Sequence, residues 1–327
     1  MKTLVLKCLR AGYRKVSGFK MPQRWSWPSP DDWGKTNDIL YDLLMSDNPC
    51  MVSRVGTVEG QIIHNRLTIE HEPLKKLKGC FDYITGDTRL PWWDTGLPFK
   101  ELQVNAGFFE KDGMKIKNVE KFADLYLHYI PLMDVCGRFE AYERYLPFSK
   151  ECKMVQLESL YPFFVERPWM KALEGKKVLV IHPFKETIEA QYAKRKLLFK
   201  NNDCLPDFDL KVIKAVQSMA GEETPFSSWF EALDYMKDEI SKTDFDVAII
   251  GCGAYGLPLA GFIKEELHKK AIHMGGGTQL LFGIKGKRWI SDYKDPCYRN
   301  LFNENWVFPN EKERPSKATA VEGGCYW

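Results

Sequence analysis

Hydrophobic residues follow two spacings along this chain, and the two spacings predict different elements. Short apolar runs rich in branched side chains predict buried strands at residues 49–53, 154–158, 178–182, 210–213, 246–251 and 269–274. Apolar residues three or four positions apart predict helices at residues 37–45, 119–133, 184–199, 229–240 and 257–267. From about residue 150 strands and helices alternate. This order predicts an α/β fold with a Rossmann-like, mainly parallel, doubly wound sheet and helices on both faces.

The N-terminal region differs in character from the rest. Residues 1–20 contain six basic side chains and no acidic ones, and Lys7 interrupts the apolar stretch, which is unlike a signal peptide. A helix here could lie on an anionic membrane surface, or it could pack on the domain or stay solvated. We therefore predict a basic arm at residues 1–30 and one domain at residues 31–327, with a lobe boundary near residues 150–175.

Charge and cysteine content limit the partners and the compartment. The formal net charge of +3 is too small to indicate nucleic-acid binding. The nine cysteines are scattered, odd in number and without a Cys-x-x-Cys pair, which favours reduced thiols in a cytoplasm, with the inner membrane face as a further option. The longest uncharged run, residues 247–263, contains glycines and Pro258, so it predicts strand, loop and helix instead of a membrane span.

The sequence Gly251-x-Gly253-x-x-Gly256 follows a predicted strand and precedes a predicted helix. It matches the dinucleotide-binding fingerprint, in which amides at the helix start face a phosphate. Nicotinamide enzymes place an acidic residue about 20 positions later to hold the ribose, whereas this chain has His273 there. Bare amides suit the diphosphate of a nucleotide-sugar better. The alternative is a tight strand-to-helix turn that binds nothing.

Three consecutive glycines follow the next predicted strand, at residues 275–277. Ordering them costs conformational entropy, so we expect the backbone there to bend sharply or to lie against a ligand. Thr278 is expected to cap the following helix. Lys285 lies near the far end of that helix, where a cation also simply complements the helix dipole.

A second polar cluster follows the first predicted strand. Arg54 could clamp a phosphate, and Glu59 could hold a metal ion or a sugar hydroxyl, although a surface pair near a turn is an equally good explanation. His182 and His273 both end strands and are candidates for acid–base chemistry. Trp92 and Trp93 could stack on a sugar or form ordinary packing.

Several of these segments resemble the GT-D-fold glycosyltransferases of bacterial polysaccharide and glycoprotein glycan assembly. The resemblance is carried by residues 246–260 and 271–289, and more weakly by residues 53–56, 105–109 and 122–126 and by the ending 322–327. It implies a nucleotide-diphosphate sugar donor, a glycan or lipid-linked acceptor, and a divalent Mn²⁺ or Mg²⁺ ion held by an Asp-x-Glu pair. This chain has Thr57 in place of that aspartate.

The candidate residues follow from the patterns and the resemblance together. The catalytic candidates are Glu59, His182 and His273, with Glu59 also the metal candidate. The candidates for binding substrate and nucleotide are Arg54, Gly56, Thr57, Asn105, Gly251, Gly253, Tyr255, Gly275, Gly276, Gly277, Thr278, Gln279 and Lys285. The leading hypothesis is a glycosyltransferase. The alternatives are a non-catalytic nucleotide-sugar-binding subunit, suggested by Thr57, and an NAD-dependent oxidoreductase.

Overall fold

The computed structural model describes residues 2–18, 28–69, 73–86, 96–292, 296–321 and 323–327. The strands are β1 (Met51–Ser53), β2 (Val135–Arg138), β3 (Lys153–Gln156), β4 (Lys177–His182), β5 (Asp209–Lys214), β6 (Val247–Ile250) and β7 (Lys270–His273). The helices are α1 (Lys2–Ser17), α2 (Pro30–Met45), α3 (Thr57–Ile69), α4 (Pro73–Thr85), α5 (Gly96–Ala106), α6 (Ile116–Tyr129), α7 (Lys185–Tyr192), α8 (Trp229–Ser241), α9 (Gly256–Glu265) and α10 (Pro296–Arg299).

The seven strands form one sheet in the order β3-β2-β1-β7-β6-β4-β5, and every neighbouring pair is parallel. This confirms the α/β fold with a Rossmann-like, doubly wound sheet. β1 hydrogen-bonds to β7, with Val52 opposite Ile272. Strands from both sides of residues 150–175 therefore share one sheet, and the lobe boundary predicted there does not divide it.

Side chains alternate between the two faces of the sheet along each strand, so both faces carry apolar residues, and helices cover both. Ala248 and Ile250 point into a core shared with α3, α5, α6, α8 and α9. Val247 and Ile249 point into the opposite core, which α2, α7 and the C-terminal region complete. Both faces are apolar, which explains why the strand sequences are nearly continuous hydrophobic runs.

Several elements differ from the sequence-based prediction, among them α4, α5 and α10, which it did not include. β2 was not predicted, because four residues that include Gly137 carry too weak a pattern. α3 was not predicted either, because polar residues such as Gln61 and Asn65 are buried along it and no apolar stripe marks one side. α7 ends at Tyr192, seven residues before the predicted end, and the Tyr192 hydroxyl accepts the backbone N–H of Phe208 at 2.7 Å, tying this end of the helix to the start of β5.

The N-terminal segment forms a helix that packs on the domain. α1 contacts α4, and the Arg10 guanidinium lies 4.6 Å from the centre of the Tyr83 ring. Among the described residues, no helix combines the length and the apolar character that crossing a membrane requires.

Candidate functional site

A cavity of 570 Å³ opens at the carboxyl edge of the sheet. Each of the seven strands contributes a lining residue at its last position or within two positions after it. These residues are Arg54, Phe139, Leu157, His182, Val216, Gly251 and Met274. Open parallel sheets bind their ligands in this place, because the loops that follow the strands leave a crevice there. The cavity is therefore the candidate functional site.

The cavity gathers most of the residues that the sequence nominates. The predicted site residues that line it are Arg54, Gly56, Thr57, Glu59, Asn105, His182, Gly251, Gly253, Tyr255, Gly275, Gly276, Gly277 and Gln279. His273, Thr278 and Lys285 are not among the lining residues. Trp92 and Trp93, the predicted sugar-stacking pair, lie outside the described residues.

Arg54 follows β1 directly and is half-buried. Its guanidinium lies 4.7 Å from the centre of the Phe139 ring, which attracts the cation without using its N–H groups. Across the described ranges, no hydrogen bond or ion pair joins the Arg54 side chain to another residue. An arginine that is partly removed from water and unpaired is well suited to a bound anion.

Glu59 lies in the first turn of α3, beside the same cavity. Its carboxylate folds back over Gly56 and occupies the space that a side chain at Gly56 would need. A glutamate at the third helical position commonly reaches back in this way to the start of its helix. Thr57 donates a hydrogen bond to Glu140 at 2.9 Å. Helix capping therefore explains Glu59 without a ligand.

The described residues contain no group of three or more His, Cys, Asp or Glu side chains arranged to hold a metal ion. Glu59 is the metal candidate from the sequence, and its carboxylate is turned toward Gly56. A hard cation bound mainly by protein needs more oxygen ligands than this one carboxylate. The residues present do not form such a cage, and the divalent metal stays a prediction.

The glycines at the strand ends are explained largely by contacts inside the protein. A Cβ at Gly251 would lie 2.6 Å from the Cβ of Thr278 and 2.8 Å from the carbonyl oxygen of Gly275. A side chain at Gly276 would overlap the Tyr326 ring, and one at Gly277 would overlap Tyr161. Close packing thus accounts for these positions, and at Gly251 this agrees with the alternative of a tight turn that binds nothing.

Gly253 and Gly275 have a separate requirement. Their φ angles are +58° and +62°, in the left-handed region that glycine adopts most easily. At Gly275 this turn brings the backbone against Arg54, whose Cδ would lie 3.6 Å from an added Cβ. The sharp bend expected after β7 is present. It holds the loop that follows β7, called the β7 loop below, beside the unpaired arginine.

Replacing Gly251 with alanine is expected to destabilise the protein by about 1–3 kcal/mol, because the new methyl group meets backbone that cannot move aside easily. Urea unfolding measures the effect. Gly34→Ala is the matched control, since a Cβ at Gly34 meets nothing within 4 Å and the residue lies inside α2. The control should be neutral or slightly stabilising. Equal stability of both variants would contradict the packing account.

His182 lines the cavity as a buried, neutral imidazole. Burial lowers its pKa to about 3, and its Nδ1 accepts the backbone N–H of Phe184 at 3.1 Å. The neutral ring therefore carries its proton on Nε2. A group with this pKa is a weak base near neutral pH. The surroundings of His182 suit a hydrogen-bond donor better than the acid–base role expected from the sequence.

The other histidine candidate faces the protein interior. The His273 Nδ1 lies 2.9 Å from the Ser53 hydroxyl, and its ring fills the space beside Gly256 at the start of α9. Burial, with a smaller contribution from Arg54, lowers its pKa to about 3. Gly256 therefore completes the fingerprint spacing because the His273 ring packs against it.

Two further candidate residues, Thr278 and Lys285, have surroundings that differ from those predicted. Thr278 does not cap a helix: it lies inside the 3-10 helix Gly275–Phe282, and its hydroxyl donates to the Ile250 carbonyl at 3.0 Å. This bond ties the β7 loop to the end of β6. Lys285 is not among the lining residues, and its Nζ lies 5.3 Å from the centre of the Phe308 ring.

Aromatic side chains that the sequence analysis did not nominate form another part of the cavity wall. The lining residues missed in this group are Tyr161, Phe184, Trp289, Tyr326 and Trp327. Arg288 joins them, with its guanidinium 4.5 Å from the centre of the Tyr326 ring. The aromatic residues near the C-terminal end of the sequence were the signal that could have indicated this part of the cavity. Only folding shows that this end of the chain returns to the β7 loop, where the Gln279 side chain donates to the Tyr326 carbonyl at 3.2 Å.

Comparison with known proteins gives no relative for this chain: no family model, curated protein or solved structure matches it.

Proposed function

We propose that the cavity binds a nucleotide-diphosphate sugar and that the protein transfers the sugar to a glycan or lipid-linked acceptor. The observation that carries this proposal is Arg54, an unpaired, half-buried guanidinium at the carboxyl edge of a parallel sheet. A diphosphate is the ligand group that best matches its charge and planar N–H pattern. Bending of the β7 loop at Gly275 presents backbone beside the same cation.

The rest of the cavity supports a ligand with both polar and apolar parts. A volume of 570 Å³ falls in the range of small-molecule sites. Tyr161, Tyr326 and Trp327 line the cavity, and aromatic residues suit a nucleobase or a sugar ring, each of which has an apolar face and a polar edge. His182 supplies a neutral N–H donor for a hydroxyl or carbonyl group.

Transfer requires that the bond between the anomeric carbon and the diphosphate breaks while an acceptor oxygen bonds to that carbon and loses its proton. Arg54 would stabilise the negative charge of the departing diphosphate. Glu59 and Glu158 are the carboxylates among the described lining residues, and we propose that one of them takes the acceptor proton.

A donor panel tests the proposal. We expect uridine-, guanosine- or thymidine-diphosphate sugars to raise the melting temperature of the purified protein, with the matching nucleoside diphosphate next in effect. NAD is the comparison for the oxidoreductase hypothesis, which the sequence disfavours because His273, and no acidic residue, stands at the end of β7. Failure of every donor and diphosphate to shift the melting temperature would refute the proposal.

A non-catalytic nucleotide-sugar-binding protein is the second candidate function. It is favoured by Thr57, which replaces the acid implied by the resemblance and is hydrogen-bonded to Glu140. Hydrolysis or transfer of the best-binding donor, measured with and without Mn²⁺, separates the two candidates. Tight donor binding with no turnover, across several acceptors, would support the binder.

A further inference from the structure

Helix α1 presents an unpartnered apolar face to solvent. Val5, Leu9 and Val16 recur at helical spacing, each is more than half exposed, and Val16 is 89% exposed. Gly12 completes this row, and a Cβ placed there would meet nothing within 4 Å. Helices of soluble domains normally turn such a face toward the core. In α1 the described part of the chain leaves it open.

The same helix is strongly cationic. It carries Lys2, Lys7, Arg10, Arg14 and Lys15 and no acidic residue. Arg10 is buried against Tyr83 of α4 and fixes the helix to the domain. The side chains of Lys7, Arg14 and Lys15 are exposed. An apolar row on one side of a helix, with exposed cations on its other sides, is the pattern of a helix that lies in a lipid interface.

Helix α4, on which α1 packs, also exposes apolar side chains. Leu77 and Phe81 are one turn apart on α4, both more than half exposed. The Lys78 ammonium lies 4.5 Å from the centre of the Tyr145 ring and forms an ion pair with Asp82. Two neighbouring helices therefore expose large apolar side chains. Single exposed leucines are ordinary on protein surfaces, whereas several exposed apolar residues on adjacent helices need an explanation.

We propose that α1, supported by α4, docks this protein on an anionic lipid bilayer. The charge pattern favours lipid over a protein partner, because the cores of protein interfaces are depleted in lysine whereas anionic headgroups attract it. Lys7, Arg14 and Lys15 would contact headgroups while Val5, Leu9 and Val16 enter the acyl boundary. The helix lies along the surface and does not span the bilayer.

This docking has a consequence for the acceptor, which rests on the proposed function. α1 packs on α4, α4 packs on α3, and the first turn of α3 lines the cavity. A bilayer held by α1 is thus linked through three packed helices to the site where Arg54 and Glu59 lie. The acceptor class that fits this arrangement is a lipid-linked glycan.

Sedimentation with lipid vesicles tests the docking on the intact chain. We compare vesicles of phosphatidylcholine alone with vesicles in which about a quarter of the lipid is phosphatidylglycerol. The wild-type protein should bind the anionic vesicles and be released by high salt. The double variant Leu9→Glu/Val16→Glu should bind at least about tenfold more weakly, because it places two charges in the apolar face. Both side chains are exposed, so the fold should tolerate the change.

The matched control is Leu197→Glu, a comparably exposed leucine on the 3-10 turn Arg195–Leu197, which should bind vesicles as the wild type does. Three results would overturn the docking: no binding to anionic vesicles, equal binding by the double variant, or a dimer in light scattering that the double variant converts to monomer. The last result would assign the face to a second copy. Nucleotide-sugar binding, measured separately, shows whether the proposed function stands when docking fails.

Discussion

Replacing Arg54 with alanine is expected to weaken nucleotide-diphosphate-sugar binding about 100-fold, which corresponds to about 2.7 kcal/mol. The side chain has no hydrogen bond or ion pair to another described residue, so its removal leaves no internal partner unsatisfied. What is lost inside the protein is the contact with Phe139, worth about 1 kcal/mol at most. Isothermal titration with the best donor from the panel, together with a melting curve, measures both effects.

Two further variants define what the Arg54 result means. Arg54→Lys keeps the charge but loses the planar fork, so we expect it to recover only part of the affinity. Arg167→Ala removes an exposed arginine that does not line the cavity, so donor binding should be unchanged. If Arg54→Ala binds the donor as tightly as wild type, the diphosphate does not lie at the end of β1, and the proposed function loses the observation on which it depends.

The fold should lose stability steeply as the pH falls below about 6.5. His64, His182 and His273 are buried, and burial lowers their pKa values to about 4, 3 and 3. Between these values and the ordinary pKa of about 6.5, the unfolded chain binds more protons than the folded chain, so acid favours unfolding. At pH 5 each group costs about 2 kcal/mol, a large share of a typical folding free energy of about 5–15 kcal/mol.

Glu143 should have the opposite effect on stability, which it lowers as the pH rises. It is fully buried, and burial raises its pKa to about 8 despite the N–H of Phe139 and the nearby Arg138, which favour the ionised form. The folded chain then binds more protons than the unfolded chain between pH about 4.5 and 8. The contribution of Glu143 to stability is present below this range and is lost as the pH rises through it.

Urea unfolding at a series of pH values separates the two effects. Wild type should be most stable near pH 6–7, and Glu143→Gln, which keeps a neutral side chain, should remove the decline between pH 7 and 8. The decline below pH 6.5 should persist in that variant, because the histidines cause it. A flat profile between pH 4.5 and 6.5 would mean that the three histidines are solvated in the folded protein.

Much of the site could be located from the sequence because it lies where strands end. The apolar runs before Arg54, His182, Gly251 and Gly275 predict parallel strands, and parallel strands bring their carboxyl ends to one edge. The side chains of Thr278 and His273 could not be placed in this way. Whether a residue after a strand faces the crevice or the neighbouring loop depends on packing that the pattern does not contain.

The aromatic residues that line the cavity and helix α3 also could not be predicted from local sequence patterns. Tyr326 and Trp327 belong to the cavity only because the C-terminal segment returns to the β7 loop. α3 buries polar residues such as Gln61 and Asn65, which hydrogen-bond to each other at 2.9 Å, so no apolar stripe marks the buried side of this helix. The sequence predicted Glu59 as a metal ligand, whereas in the structure its carboxylate lies against Gly56.

The sequence alone determined the α/β class, the parallel sheet and the edge at which a ligand would bind, because these follow from hydrophobic spacing and from glycines at strand ends. Only the tertiary structure decided which glycines serve packing, which histidine reaches the cavity, and that the Arg54 side chain has no hydrogen bond or ion pair to another described residue. The physical reason is that strands are specified by neighbouring residues, whereas contacts at the cavity join residues far apart in the sequence, such as Arg54 and Gly275, whose approach is set by the whole packed core.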